Sequence, residues 1–132
     1  MSSTMLSKNF SKAELACQCG CGMVPTAEFI SRLQALRDAW GSPLKVTSAA
    51  RCKKHNAAVG GAPASKHVDG IAADIACTNG SERYKLVRMA YHLGFTGLGM
   101  HPQFIHLDIR PASEAVVWFY FNLPATASAG HP

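Results

Sequence analysis

Ser65-Lys66-His67-Val68-Asp69-Gly70-Ile71-Ala72-Ala73-Asp74, answered later by Phe104-Ile105-His106-Leu107-Asp108, decides how this chain is read. Side chains of a strand alternate between its faces. From Ile71 onward, Ile71, Ala73 and Ile75 therefore share one face, and Ala72, Asp74 and Ala76 share the other. In the later segment Ile105, Leu107 and Ile109 form an apolar face, while Phe104, His106, Asp108 and Arg110 project from the opposite one. The pattern predicts a sheet with one greasy face and, behind it, a small-residue surface carrying a carboxylate and an imidazole. His67 joins them from the preceding loop, in a turn that Gly70 permits. Two imidazoles and one carboxylate suit a catalytic zinc whose fourth position stays open, whereas structural zinc sites close all four positions, usually with thiolates. His67, Asp74 and His106 are thus candidate metal ligands, and His55, His92 and His131 are expected to be surface or hydrogen-bonded side chains.

Outward from this stretch, Ser11-Lys12-Ala13-Glu14 forms a capping box for a short helical turn. Thr26 is placed to cap a longer helix with Phe29, Ile30, Leu33, Leu36 and Trp40 on one stripe, ended by Gly41-Ser42-Pro43. Further expectations are a strand at 44–48, a helical turn at 53–59 and a strand at 71–76. Ser81 is expected to cap a helix bearing Tyr84, Val87, Met89, Ala90 and Leu93, with Gly94 at its end. Strands at 103–109 and 116–121 complete the pattern. The fold class is α+β, a small, mainly antiparallel sheet flanked by helices, with a strand order that the pattern does not dictate. One domain over 1–124 and a disordered tail over 125–132 are expected.

At 132 residues, 48% hydrophobic and 16% charged, the chain has the size and balance of one domain with a real core. The net charge of +5 and pI near 9.1 suit an anionic partner. No basic run exceeds Lys53-Lys54 and no basic stripe is interleaved with aromatics, which argues against nucleic-acid binding. No stretch reaches the roughly twenty apolar residues of a membrane span. Met1 to Lys8 lacks the basic start and apolar run of a secretory signal, so a cytoplasmic location is expected. Five cysteines, an odd number, speak against a complete disulfide framework. Cys17, Cys19 and Cys21 alternate in a way that leaves open a structural zinc with a distant fourth ligand or disulfide use. The preferred reading is a reduced, glycine-kinked loop of small buried side chains.

The same residues resemble metallopeptidase family M15, the D-alanyl-D-alanine carboxypeptidase and L-alanyl-D-glutamate peptidase group that includes phage endolysins. The resemblance begins at Phe10 to Glu14 with the cysteine cluster, and continues through Val46-Thr47-Ser48-Ala49-Ala50-Arg51, His55-Asn56 and Val59-Gly60-Gly61. It then takes in the His/Asp motif, Gly94 to Gly99 and Phe104 to Arg110. It implies a fold shared with hedgehog-type domains and a Zn2+ held by His67, Asp74 and His106. Arg51 would face the substrate, with Ser65 beside the metal as a hydrogen-bonding group. The implied substrate is the stem peptide of bacterial peptidoglycan, cut by a monomeric, single-domain enzyme. That enzyme would be stored in the host cytoplasm and act on the wall after release. Several branches of the family carry a carboxylate base three residues before the last ligand, where this chain has Gln103. Asp108 is the preferred substitute, able either to deprotonate water or to orient a ligand, and His101 is the alternative.

Overall fold

A computed structural model describes residues 4–120 of the chain. Phe121 at the end of the last expected strand, the expected domain end at 124 and the expected tail at 125–132 lie outside the described residues. The elements follow in the order α1 (Lys12–Leu15), α2 (Ala27–Trp40), β1 (Val46–Ser48), α3 (Lys53–Ala58), β2 (Ala72–Ala76), α4 (Gly80–His92), β3 (Gly97–Met100), β4 (Phe104–Asp108) and β5 (Val116–Phe119). The class is α+β, as the alternation of patterns predicts.

Local chemistry accounts for the helix ends. Ser11 and Glu14 form the capping box of α1, each accepting from the other's backbone N–H. The Thr26 hydroxyl accepts from the Phe29 N–H at the start of α2, and Gly41 closes that helix in the left-handed conformation. The α4 helix starts earlier than expected. The Asn79 side chain, not that of Ser81, accepts from the N–H groups of Ser81 and Glu82. Its buried face is accordingly Leu86 and Ala90, while Tyr84 points to solvent at 67% exposure.

The sheet runs β1-β2-β4-β3-β5, antiparallel throughout except for the parallel pair β3–β5. Helices α2 and α4 lie against one face of it. Phe29, Leu33 and Leu36 of α2 and Leu86 and Ala90 of α4 pack with Ala73, Ile75, Leu98, Ile105 and Leu107 into the main core. Each fully buried leucine or phenylalanine in it contributes about 1.5–3 kcal/mol. The opposite face of the sheet carries the polar residues, with a smaller cluster of Phe104, Trp118 and Tyr120 beside them. This second face is not the open surface expected from the alternation. Ala72, Asp74, His106 and Asp108 are all buried on it, because loops and aromatic rings close over the sheet. Among the described residues no helix is long and apolar enough to cross a membrane.

Candidate metal centre

Register brings the site together. Asp74 of β2 stands directly opposite His106 of β4, His106 opposite Gly99 of β3, and Gly99 opposite Trp118 of β5, while Ser48 of β1 flanks Asp74 on the other side. One row across five strands thus reads Ser48, Asp74, His106, Gly99, Trp118. Residues paired on one face lie within side-chain reach, so the carboxylate and imidazole meet without any loop adjustment. His67 arrives from the loop before β2. Its N–H donates to the Ser65 hydroxyl at 3.2 Å, and its carbonyl accepts from Arg51 and Gly70. Gly70, at φ +74°, turns the chain into the strand.

The Asp74 Oδ1 lies 3.2 Å from the Nε2 of His67 and 3.2 Å from the Nδ1 of His106. One ligand atom from each residue falls within 4.8 Å of the other two. The two short separations approach the edge of about 3.4 Å expected for a tetrahedron with 2.0–2.1 Å bonds. The outer nitrogens are held as well, His67 Nδ1 against the Ala49 carbonyl at 2.7 Å and His106 Nε2 against Asp108 Oδ2 at 2.8 Å. All four ring nitrogens therefore face oxygens. Without a metal, each of these contacts would need a hydrogen between its two heavy atoms, on rings that are at most 5% exposed. A divalent cation held by His67, Asp74 and His106 would remove that requirement, and the outer nitrogens would keep their protons for Ala49 and Asp108. The donor set fits a metal.

Electrostatics agree. For Asp74, burial would raise the carboxyl pKa, but the charges and hydrogen bonds of His67 and His106 hold it well below the usual carboxylate range. His106 moves the other way: burial disfavours its charge, yet hydrogen bonds to Asp108 and Asp74 raise its pKa overall.

Asp108 is completely buried behind His106, on the side of the ring away from Asp74. Its oxygens accept from the guanidinium and backbone N–H of Arg110, with Arg110 Nη2 at 2.7 Å. Burial pushes its carboxyl up, but His106 and Arg110 outweigh that and hold it far below the usual range. A carboxylate so engaged holds the outer nitrogen of the His106 ring and has its own oxygens taken up by Arg110. Arg51 is 3% exposed. It donates to Asn56 at 2.9 Å and to Ser48 at 3.1 Å. Burial lowers its pKa, while the Asp74 charge opposes the shift, so its guanidinium lies within electrostatic reach of the pocket. Ser65 is buried, with its hydroxyl engaged by the His67 N–H.

His101 lies on the turn before β4, 3% exposed and stacked on Phe104 with ring centroids 4.2 Å apart. Its Nδ1 accepts from the Gln103 N–H at 3.0 Å, and its Nε2 has no hydrogen-bond partner among the described residues. The Gln103 side chain is exposed. Sequence reasoning missed Trp118, whose ring sits 5.0 Å from that of His106, and Tyr120, which packs against His101 at 5.4 Å. Burial raises the Tyr120 phenol pKa and the Asp74 charge raises it further, which places this residue near the pocket too. Their two-residue spacing, with Trp118 in β5 and Tyr120 one residue past its end, was the available signal.

A small α+β fold with a buried two-histidine, one-carboxylate pocket defines a domain with a candidate metal site. The chain belongs to the peptidase M15 family: the family model described as Peptidase M15 matches residues 8–108, which contain all three metal-pocket residues. It is a zinc-dependent metallopeptidase family. No curated protein matches the chain.

Proposed function

We propose that this chain is a zinc peptidase that hydrolyses the stem peptide of bacterial peptidoglycan, in the role of a phage or prophage endolysin. The observation that supports it most is the two-sided hold on His67 and His106. Their inner nitrogens converge on Asp74, and their outer nitrogens are fixed by Ala49 and Asp108. Zinc bound by His67, Asp74 and His106 would supply Lewis acidity toward a peptide carbonyl and acidify a water molecule. Arg51 would lend its planar fork to the carbonyl oxygen or to a substrate carboxylate. His101 takes the role of base in place of Asp108, drawing a proton from the attacking water and returning it to the leaving amine. Imidazole is the side chain best suited to that exchange at neutral pH. Ser65 holds the His67 loop, and the rings of Trp118 and Tyr120 wall the pocket against water. The surplus positive charge suits an anionic wall.

Gln103, which cannot take a proton, supports a second reading, a zinc-binding module that attaches to wall without cutting it. Digestion of purified peptidoglycan with and without chelator and added zinc, followed by mass spectrometry of the released ends, separates the two. Chelator-sensitive cleavage restored by zinc is expected, and the new termini name the bond. Stoichiometric zinc with no new termini would favour the binding module.

A further inference from the structure

A second cluster of ligand atoms lies apart from the pocket just described. Cys17, Cys19 and Cys21 follow α1, and Cys52 comes from the turn between β1 and α3. One sulfur from each lies within 4.8 Å of the others, with Cys17 to Cys19 at 3.4 Å and Cys19 to Cys52 at 3.6 Å. Four thiolates bonded to zinc at 2.3 Å sit about 3.8 Å apart along each edge of the tetrahedron. The backbone is arranged to bring them there. Gly20 and Gly22 adopt φ of +86° and +90°, conformations that turn the chain back after each of the last two cysteines of the trio. The Cys17 N–H closes the loop onto the Met23 carbonyl at 2.8 Å.

Two sulfurs also accept backbone hydrogen bonds, Cys17 from the Cys52 N–H and Cys52 from the His55 N–H, both at 3.3 Å. The loop is glycine-kinked and its cysteines are unpaired, as expected, but of the trio only Cys17 is buried, and Cys19 and Cys21 are exposed. Exposed thiols with no packing role need another reason to converge.

We propose that Cys17, Cys19, Cys21 and Cys52 bind a structural zinc ion that ties the N-terminal loop to the segment carrying Arg51. All four positions are filled by protein, so this site holds the chain and leaves no coordination position for a substrate. Cys52 adjoins Arg51, and the Ala50 N–H already donates to the Leu15 carbonyl at 3.1 Å across the same seam. Zinc there would set the start of α3 and, through Asn56, the place of the Arg51 guanidinium.

The test uses the full chain purified without chelator, a Cys19→Ser/Cys21→Ser variant and a His67→Ala/His106→Ala variant. Elemental analysis is expected to find about two zinc ions per wild-type chain and about one in each double variant. Cobalt substitution supplies the second readout. Intense thiolate-to-cobalt charge-transfer absorption should persist in the histidine variant and vanish from the cysteine variant. Should the cysteine variant fail to fold, the cobalt spectrum of the histidine variant decides alone. One zinc per wild-type chain with all thiols open to titration, a mass deficit marking a disulfide, or a histidine variant without the charge-transfer band would overturn the proposal. None of these outcomes touches the reading of the His67, Asp74 and His106 pocket.

Discussion

His106 is gripped from both sides, by Asp74 on Nδ1 and Asp108 on Nε2, and the two carboxylates have different tasks. Asp108→Asn is expected to weaken zinc binding about 10–100-fold, measured by competition with a chromogenic chelator, with activity largely recovered at saturating zinc. His101→Gln should instead leave zinc content unchanged and lower kcat about 100-fold or more. Equal cleavage by the His101 variant would remove it as base. The depressed carboxyl pKa of Asp108 also makes stability depend on pH. Its contribution is complete above the ordinary carboxylate range, near ~4, and is lost as pH falls below that range toward the folded-state value. Melting curves of wild type should therefore steepen against pH below about 4, and the slope should be shallower in Asp108→Asn. The meeting of His67, Asp74 and His106 was legible because strand alternation and a glycine turn dictate which way those side chains point. The task of Asp108 was not. A spacing of two residues places it beside His106 but says nothing about which side of the imidazole it takes.

Strand β3 was missed for a related reason: Gly97-Leu98-Gly99-Met100 carries two glycines, and glycine weakens a strand pattern. The folded protein needs both. A Cβ on Gly97 would run into the Asp108 carboxylate, and one on Gly99 would lie 2.6 Å from the Trp118 ring. These are the positions at which neighbouring side chains must lie flat across the sheet to reach His106. Gly97→Ala should cost about 1–3 kcal/mol in chemical denaturation and also weaken zinc binding, since it dislodges Asp108. A stability loss without any change in zinc affinity would separate Gly97 from the site. The helices were easier to read. The caps at Ser11 and Thr26 follow from hydroxyl and carboxylate positions alone, and only at α4 did Asn79 compete with Ser81 and win by reaching two N–H groups.

In the molecule as a whole, α2 and α4 occupy one side of the sheet and the candidate metal pocket the other, so core packing and ligand placement share the same strands. Zinc that binds the folded chain alone should raise Tm in step with its free concentration, and a chelator should lower it, both readable by calorimetry. Strand order was beyond sequence reasoning because β3 was not seen and the parallel β3–β5 pairing depends on Gly99 receiving Trp118. That row across the sheet also carries a history of assembly. Asp74 and His106 become neighbours only after the whole of α4 and β3 has been enclosed between them, whereas Cys17, Cys19 and Cys21 are neighbours almost from the moment they are made. Closing a long loop costs more entropy than closing a short one, and sheets of distant partners form slowly. During synthesis the N-terminal end can thus take its shape early, while the pocket exists only once β4 has docked. A chain interrupted before Phe104 would lack His106 and the strand that sets it opposite Asp74, so the pocket is among the last features of the fold to be completed.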